Sequence, residues 1–98
     1  MTRIAINGLG RIGRTFIKLA LENPALNIVA ANDISDPDSL AYLIRYDSAY
    51  GKYHNAVSVE RANGEVWLRV GAHRLRLLAE RRPEALPWKA LDVQLVVE

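Results

Sequence analysis

The chain of 98 residues contains no cysteine, so it can form neither a disulfide nor a thiolate metal site. It has no apolar run near the length that crosses a bilayer. Its N-terminus lacks the charged start, the long apolar stretch and the small-residue cleavage site of a signal peptide. We therefore expect a cytoplasmic protein that forms one small domain with a modest core.

The excess of positive over negative charge is also small. Thirteen basic and eleven acidic residues leave a net charge of +2, which is too small to predict nucleic-acid binding. Of the two histidines, His54 falls in a predicted loop and His73 at the start of a predicted strand, with no third ligand near either. We expect no metal site.

A short apolar strand, a glycine-rich turn and a helix are predicted in the first 22 residues. Residues 3–7 are typical of a buried strand, and Gly8, Gly10 and Gly13 then form the pattern G-x-G-x-x-G. Residues 11–22 carry apolar side chains at the spacing of a helix that packs on a sheet. The expected contact residues of this helix are Ile12, Phe16, Leu19 and Ala20.

A second apolar run at residues 28–31 is followed by Asp33, which completes the pattern of a dinucleotide-binding unit. In such a unit Gly8 allows a sharp turn, Gly10 lets the pyrophosphate approach the backbone, and Gly13 lets the helix lie close to the strand. The helix N-terminus attracts the diphosphate, and Asp33 can accept hydrogen bonds from the adenosine ribose. A tight turn followed by a capping aspartate is the simpler alternative, but the complete order of elements favours NAD binding.

The middle of the chain predicts a second helix and then a loop. Asp36 is the expected helix cap, Pro37 suits the first turn, and the helix ends near Tyr46. We expect its buried stripe to consist of Leu40, Leu43 and Ile44. Residues 47–55 predict a polar loop that contains tyrosines.

From residue 57 onward the apolar period changes to two, which predicts strands. The expected strands are residues 57–59, 66–70, 73–79 and 93–97, the last of them buried on both faces. Turns at 62–65 and 71–72 join the first three as an antiparallel excursion, and Gly64 suits the positive φ that the first turn needs. Residues 83–91 predict a connection with one helical turn. The predicted fold class is α/β, a Rossmann-type parallel sheet with an antiparallel hairpin excursion.

Two stripes of side chains have structural rather than functional explanations. Tyr42, Tyr46 and Tyr50 recur every four residues, and we expect them to pack on the domain or on a neighbouring subunit rather than stack on bases. Arg74 and Arg76 alternate with two leucines on the other face of their strand. This alternation predicts a half-solvated sheet rather than an anion site.

Several motifs occur in the order and at the intervals of one known family. They are INGLGRIGR at residues 6–14, AND at 31–33, LIRYDS at 43–48 with Gly51 after it, AER at 79–81 and LPW at 86–88. Over residues 1–98 the chain resembles the N-terminal, NAD-binding part of glyceraldehyde-3-phosphate dehydrogenases, and erythrose-4-phosphate dehydrogenases share this layout. The resemblance implies a truncated Rossmann domain, NAD as cofactor and a place in glycolysis. We also expect self-association, because the family is homotetrameric and an apolar strand at 93–97 would leave an unpaired edge.

The resemblance also implies which residues bind the cofactor. They are Asn7, Gly8, Gly10, Arg11, Ile12, Gly13, Asn32, Asp33 and Arg81. The first three shape the turn, and the backbone N–H groups of Arg11 and Ile12 bind the pyrophosphate. Asp33 holds the adenosine ribose, while Asn32 and Arg81 line the adenine end. Local sequence alone also allows Arg11 to be solvated and Arg81 to be a surface residue.

Two positions depart from the family pattern. Leu9 stands where phenylalanine is usual, which exchanges one apolar side chain for another. Arg82 stands where an acidic or amide residue is usual. This second departure adds positive charge near the expected adenine end.

The chemistry of the family requires groups that this chain does not supply. An activated cysteine attacks the aldehyde, a histidine acts as base, hydride passes to the nicotinamide, and phosphate releases the acyl group. Without a cysteine, we expect no catalytic residue here, and we expect the substrate domain to be absent from the chain. A stand-alone nucleotide-binding or regulatory module remains the main alternative, and a nucleic-acid-binding protein that uses the basic hairpin is a weaker one.

We expect the 98-residue polypeptide alone to show no aldehyde oxidation, because it encodes no thiol nucleophile. The measurement is the absorbance of NADH in a mixture of glyceraldehyde 3-phosphate, NAD and phosphate, with the intact mass of the sample verified. Robust, phosphate-stimulated NADH production by that sample would contradict the expectation.

Overall fold

A computed structural model describes residues 2–46 and 56–98 of the chain. The elements in chain order are β1 (Thr2–Asn7), α1 (Arg11–Ala20), β2 (Leu26–Asn32), α2 (Pro37–Tyr46), β3 (Val57–Ala62), β4 (Glu65–Val70), β5 (His73–Leu78), a 3₁₀ turn (Pro83–Ala85) and β6 (Leu95–Val97). The predicted loop at 47–55, with Tyr50, His54 and the end of the LIRYDS motif, lies outside the described residues.

The described strands form one sheet in the order β3-β4-β5-β2-β1-β6. The neighbours β5, β2, β1 and β6 run parallel, whereas β3, β4 and β5 pair antiparallel. The parallel part has the strand order of one mononucleotide-binding half of a Rossmann fold. The sequence prediction of a Rossmann-type sheet with an antiparallel excursion is therefore confirmed.

The main core lies between the sheet and the two helices. Alternate strand residues such as Ile6, Leu68 and Leu75 are fully buried there against Ile17 of α1 and Ile44 of α2. The parallel strands that carry this core all end at the same edge of the sheet, as parallel strands must. The loops that follow β1, β2 and β5 consequently meet at that edge.

The predicted contact face of α1 is wrong at two positions. Ile12 is 78% exposed and Leu19 is 65% exposed, whereas Gly13, Ile17 and Ala20 are buried. Each exposed residue precedes a buried one by a single position, which is a rotation of about 100° around a helix. Close contact of Gly13 with the preceding turn fixes this rotation.

The second helix begins as predicted, because the Ser39 N–H donates to Asp36 Oδ2 at 3.0 Å. Its buried stripe contains Leu40, Ala41 and Ile44, so the prediction that Leu43 is buried is wrong.

Tyr42 and Tyr46 lie on the outer side of α2. Both rings are exposed, with their centroids 4.7 Å apart. Neither tyrosine belongs to the buried core of the domain. Packing on a neighbouring subunit stays a prediction.

The antiparallel excursion follows local sequence rules. Asn63 and Gly64 both have positive φ, at 53° and 77°, as a two-residue hairpin turn requires. Leu75 and Leu77 are buried, while the Arg74 guanidinium stacks over the Trp67 ring at 3.8 Å on the other face. The prediction of a half-solvated sheet is confirmed here.

The last strand is shorter and more exposed than predicted. It begins at Leu95 rather than at residue 93, and the Leu95 side chain is 51% exposed. In the described chain β6 is the edge of the sheet and pairs with β1 alone, so the prediction of burial on both faces is wrong. The connection into β6 is bonded to β1, since the Arg3 guanidinium donates to the carbonyl of Leu91 at 2.8 Å.

No helix within residues 2–46 and 56–98 is long and apolar enough to cross a membrane. In the same ranges, no group of three or more histidine, aspartate or glutamate side chains is placed to hold a metal ion. His73, one of the two histidines considered in the sequence, instead has its Nε2 at 2.6 Å from the carbonyl oxygen of Ile28.

Candidate functional site

The glycine-rich turn after β1 lies directly against the start of α1. Gly8 has φ at 101°, a conformation that L side chains rarely adopt, and its N–H donates to the carbonyl of Asn32 at 2.7 Å. A Cβ atom at Gly13 would collide with the carbonyl oxygen of Gly8 and press on Ile6. Only glycine at position 13 therefore lets the helix approach the strand this closely.

The first turn of α1 is open to an anion. Gly10 is the N-cap residue and provides no side-chain cap, and no acidic residue lies in the first turn. Arg11 and Ile12 are both exposed at this position. The N–H groups of a helix start and the positive end of its dipole favour a phosphate here. The exposure of Ile12 thus has a structural reason, because it stands at the open end of the helix rather than in the core.

Asp33 follows β2 and faces the glycine-rich turn. Its Oδ2 accepts the N–H of Leu9 at 2.8 Å, and its Oδ1 accepts the N–H of Ser35 at 2.8 Å. The carboxylate thus caps the next segment and also holds the turn. Since a carboxylate offers about four lone-pair sites, it keeps capacity to accept further hydrogen bonds.

The same contacts set the acidity of Asp33. Burial alone would raise the pKa of this carboxyl group. Hydrogen bonds from the N–H groups of Ser35 and Leu9 and from the Ser35 hydroxyl oppose that effect, and the positive charge of Arg14 adds to them. The net result is a pKa below the ordinary aspartate value, so the group is ionised at neutral pH.

Asn32 joins the ends of three strands. Its side chain is 6% exposed, and its Nδ2 donates to Asn7 Oδ1 at 3.1 Å and to the carbonyl of Glu80 at 3.0 Å. Its Oδ1 accepts the N–H of Glu80 at 2.8 Å. The side chain of Asn32 is therefore engaged within the protein, where it holds the ends of β1 and β2 against the residue that follows β5.

The two arginines after β5 differ in their surroundings. Arg81 is exposed beside the same edge of the sheet. Arg82 turns back to Glu80, whose Oε1 accepts the Arg82 N–H at 3.1 Å and lies 3.9 Å from its Nε. The positive charge that distinguishes position 82 from the family pattern is therefore opposed by a neighbouring carboxylate.

Sequence reasoning missed one residue of the site, Arg14. Its Nη1 donates to the carbonyl of Leu9 at 2.8 Å. The position of Arg14 within the motif at residues 6–14 was a signal, since it lies in α1 directly after Gly13. The contact itself joins the helix to Leu9, which lies just before the N-cap, and helical periodicity does not reveal such a contact.

We predict that replacing Asp33 by asparagine alters the pH dependence of stability. A carboxyl group whose folded pKa is depressed adds stability above its unfolded pKa of about 4, and that stability is lost as pH falls through the folded pKa. The free energy of unfolding of wild type should therefore exceed that of the Asp33→Asn variant most at neutral pH, and this difference should shrink below about pH 4. Urea unfolding from about pH 7 to about pH 3 measures this gap.

The control for that prediction is Asp38→Asn, which removes an exposed carboxylate that is paired with Arg61 at 3.1 Å. This variant should retain most of the acid dependence of wild type. A gap between wild type and Asp33→Asn that stays constant over the whole pH range would contradict the prediction.

Comparison with known proteins agrees with this geometry. The family model described as glyceraldehyde 3-phosphate dehydrogenase, NAD binding domain, matches residues 2–98. The chain is 47% identical over 97 residues to glyceraldehyde-3-phosphate dehydrogenase 2 of Staphylococcus aureus strain Mu50, and the match covers 99% of the chain and 27% of that relative. It is 40% identical to glyceraldehyde-3-phosphate dehydrogenase 2 of Staphylococcus epidermidis strain ATCC 12228, with the same coverage. The chain thus spans about a quarter of the length of these curated relatives. It belongs to the glyceraldehyde-3-phosphate dehydrogenase family and is an NAD-binding domain of that family.

Proposed function

We propose that the chain supplies the cofactor-binding part of an NAD-dependent phosphorylating aldehyde dehydrogenase of glycolysis. The observation that carries the proposal is the open helix start of α1, which lies between a turn that only glycine permits and the ionised carboxylate of Asp33. The staphylococcal relatives, named glyceraldehyde-3-phosphate dehydrogenases, support glyceraldehyde 3-phosphate as the substrate of the whole enzyme.

In this proposal different residues bind different parts of the dinucleotide. The backbone N–H groups of Arg11 and Ile12 bind the pyrophosphate at the start of α1. Asp33 accepts hydrogen bonds from the adenosine ribose, and Arg81 lies at the adenine end. The remaining residues hold the backbone that makes these contacts possible, and they are Asn7, Gly8, Gly10, Gly13 and Asn32.

NAD, when bound, supplies the acceptor for the hydride that leaves the aldehyde carbon. The residues described here bind and orient the adenosine diphosphate part of the cofactor, and none of them is placed to act on an aldehyde. A cysteine nucleophile must come from outside these 98 residues, since the chain encodes none. We therefore assign no catalytic residue to this chain. A cytoplasmic location is part of the same proposal, as expected for an enzyme of glycolysis.

We predict that the domain prefers NAD to NADP and that Asp33 is the reason. The ribose hydroxyls donate to a carboxylate, whereas a 2′-phosphate would bring negative charge against it. A hydrogen bond to a charged group contributes about 1.5–3 kcal/mol, so Asp33→Ala should weaken NAD binding about 10-fold or more and narrow the gap to NADP. Calorimetric titration of both cofactors measures the two affinities.

The matched control is Asp38→Ala, which removes an exposed carboxylate from α2 and should change neither affinity. If wild type bound NADP as tightly as NAD, the prediction would be contradicted, and the role of Asp33 would be limited to its hydrogen bonds with Ser35 and the turn.

We also propose that the isolated chain self-associates through β6. Among residues 2–46 and 56–98 this strand pairs with β1 alone and so forms a sheet edge that can pair with another chain, and Leu95 is exposed on it. Leu95→Lys should lower the mass measured by light scattering toward the monomer value of 11.0 kDa. Leu19→Lys, which removes an even more exposed apolar side chain from α1, should leave the mass unchanged. A sharp monomer of wild type at high protein concentration would contradict the proposal.

A further inference from the structure

Leu9, between the first two glycines of the turn, is held by three separate contacts. Its side chain is 1% exposed and belongs to the main core. Its N–H donates to Asp33 Oδ2 at 2.8 Å. Its carbonyl oxygen accepts from Arg14 Nη1, also at 2.8 Å. One residue in the middle of a glycine-rich turn is thereby fixed at its side chain and at both of its backbone polar groups.

These two backbone contacts control two peptide planes. The N–H of Leu9 belongs to the plane that it shares with Gly8, and its carbonyl belongs to the plane that it shares with Gly10. Glycine removes the steric limits on rotation about φ and ψ, so a turn flanked by two glycines needs other restraints to hold one conformation. The hydrogen bonds from Arg14 and to Asp33 supply those restraints. They therefore also orient the N–H of Gly10, the N-cap residue of α1.

The two restraining side chains carry opposite charges. A hydrogen bond with one ionised partner is stronger than a neutral one, and here each backbone group of Leu9 has such a partner. The positive charge of Arg14 also stabilises the negative charge of Asp33. Removal of Arg14 should consequently weaken both restraints, its own directly and that of Asp33 through the lost charge.

We propose that Arg14 and Asp33 form a clamp on Leu9 that presets the glycine-rich turn for the diphosphate of the cofactor. Arg14 is a positioning residue in this arrangement, because its guanidinium is committed to the Leu9 carbonyl and acts on the phosphates through the turn. The inference rests on the proposed NAD site and adds to it a residue outside the direct contacts. Preset geometry improves affinity because the cofactor does not have to order the loop when it binds.

The test compares Arg14→Met with Arg14→Lys, and Arg61→Met is the control. Met keeps much of the side-chain length and removes charge and donor, whereas Lys keeps the charge and one donor position. Arg61 lies on β3 and makes an exposed ion pair with Asp38, so its variant reports the effect of losing a surface arginine. Hydrogen exchange of the Gly8 and Leu9 amides is followed by NMR without cofactor. NAD affinity and the free energy of unfolding are measured on the same samples.

For Arg14→Met we expect the protection of the Leu9 amide and the affinity for NAD each to fall about 10-fold, the size expected for loss of one charged hydrogen bond. Arg14→Lys should restore part of both losses, and Arg61→Met should cause neither. The free energy of unfolding of Arg14→Met should fall by about 1.4 kcal/mol, the equivalent of that 10-fold loss. Because the variant should remain folded, its lower NAD affinity reports the clamp rather than a loss of folded protein.

Two results would overturn the clamp. One is wild-type protection of the Leu9 amide in Arg14→Met, and the other is wild-type NAD affinity in a variant whose Leu9 amide has lost protection. If Arg14→Met does not fold, wild type is compared with Arg14→Lys, whose donor geometry is weaker. Protection of the Leu9 amide and NAD affinity that both equal those of wild type would then count against the clamp. If wild type bound no NAD, the proposed function would fail, and amide exchange alone would decide whether the clamp exists.

Discussion

The close approach of α1 to the end of β1 is the constraint on which the rest of the site depends. The two elements meet where Gly13 faces the carbonyl oxygen of Gly8, with no space for even one methyl group. This contact places the open N-terminus of α1 beside the end of β1, next to the turn that is bonded to Asp33 after β2. It also fixes the rotation of α1, and therefore decides which of its residues enter the core and which stand in solvent.

Most of the fold follows from local sequence. The period-two pattern after residue 57 and the pair Asn63 and Gly64 determine a hairpin without reference to the rest of the chain. The glycine pattern and the acid at position 33 likewise specify a strand, a turn and a helix in sequence. Errors arise where burial depends on a tertiary neighbour. Apolar residues occur on both sides of α1, so spacing alone did not decide between Ile12 with Leu19 and Ile17, whereas Ala20 was predicted correctly. The exposure of β6 depends on what lies beside it in the sheet, which its own residues do not encode.

The polar contacts of the site were less predictable than its backbone, because they join residues far apart in the chain. The amide of Asn32 meets the backbone of Glu80, 48 positions away, and the carboxylate of Asp33 meets the N–H of Leu9, 24 positions away. The family pattern at residues 31–33 indicated that these side chains matter but gave Asn32 a role toward the cofactor. The structure gives its amide a role within the protein, since it bonds to Asn7 at the end of β1 and to the backbone of Glu80 after β5.

These contacts form a continuous chain of support from the sheet to the turn. Asn32 holds the end of β2 against β1 and the residue after β5, and so fixes the backbone from which Asp33 projects. Asp33 in turn holds Leu9, and the N–H of Gly8 returns to the carbonyl of Asn32 at 2.7 Å, which closes the loop of contacts. Every link is made by protein groups alone. Under the proposed function, this support would align the donors before a dinucleotide enters, so less of its binding energy would be spent on ordering the glycine-rich turn.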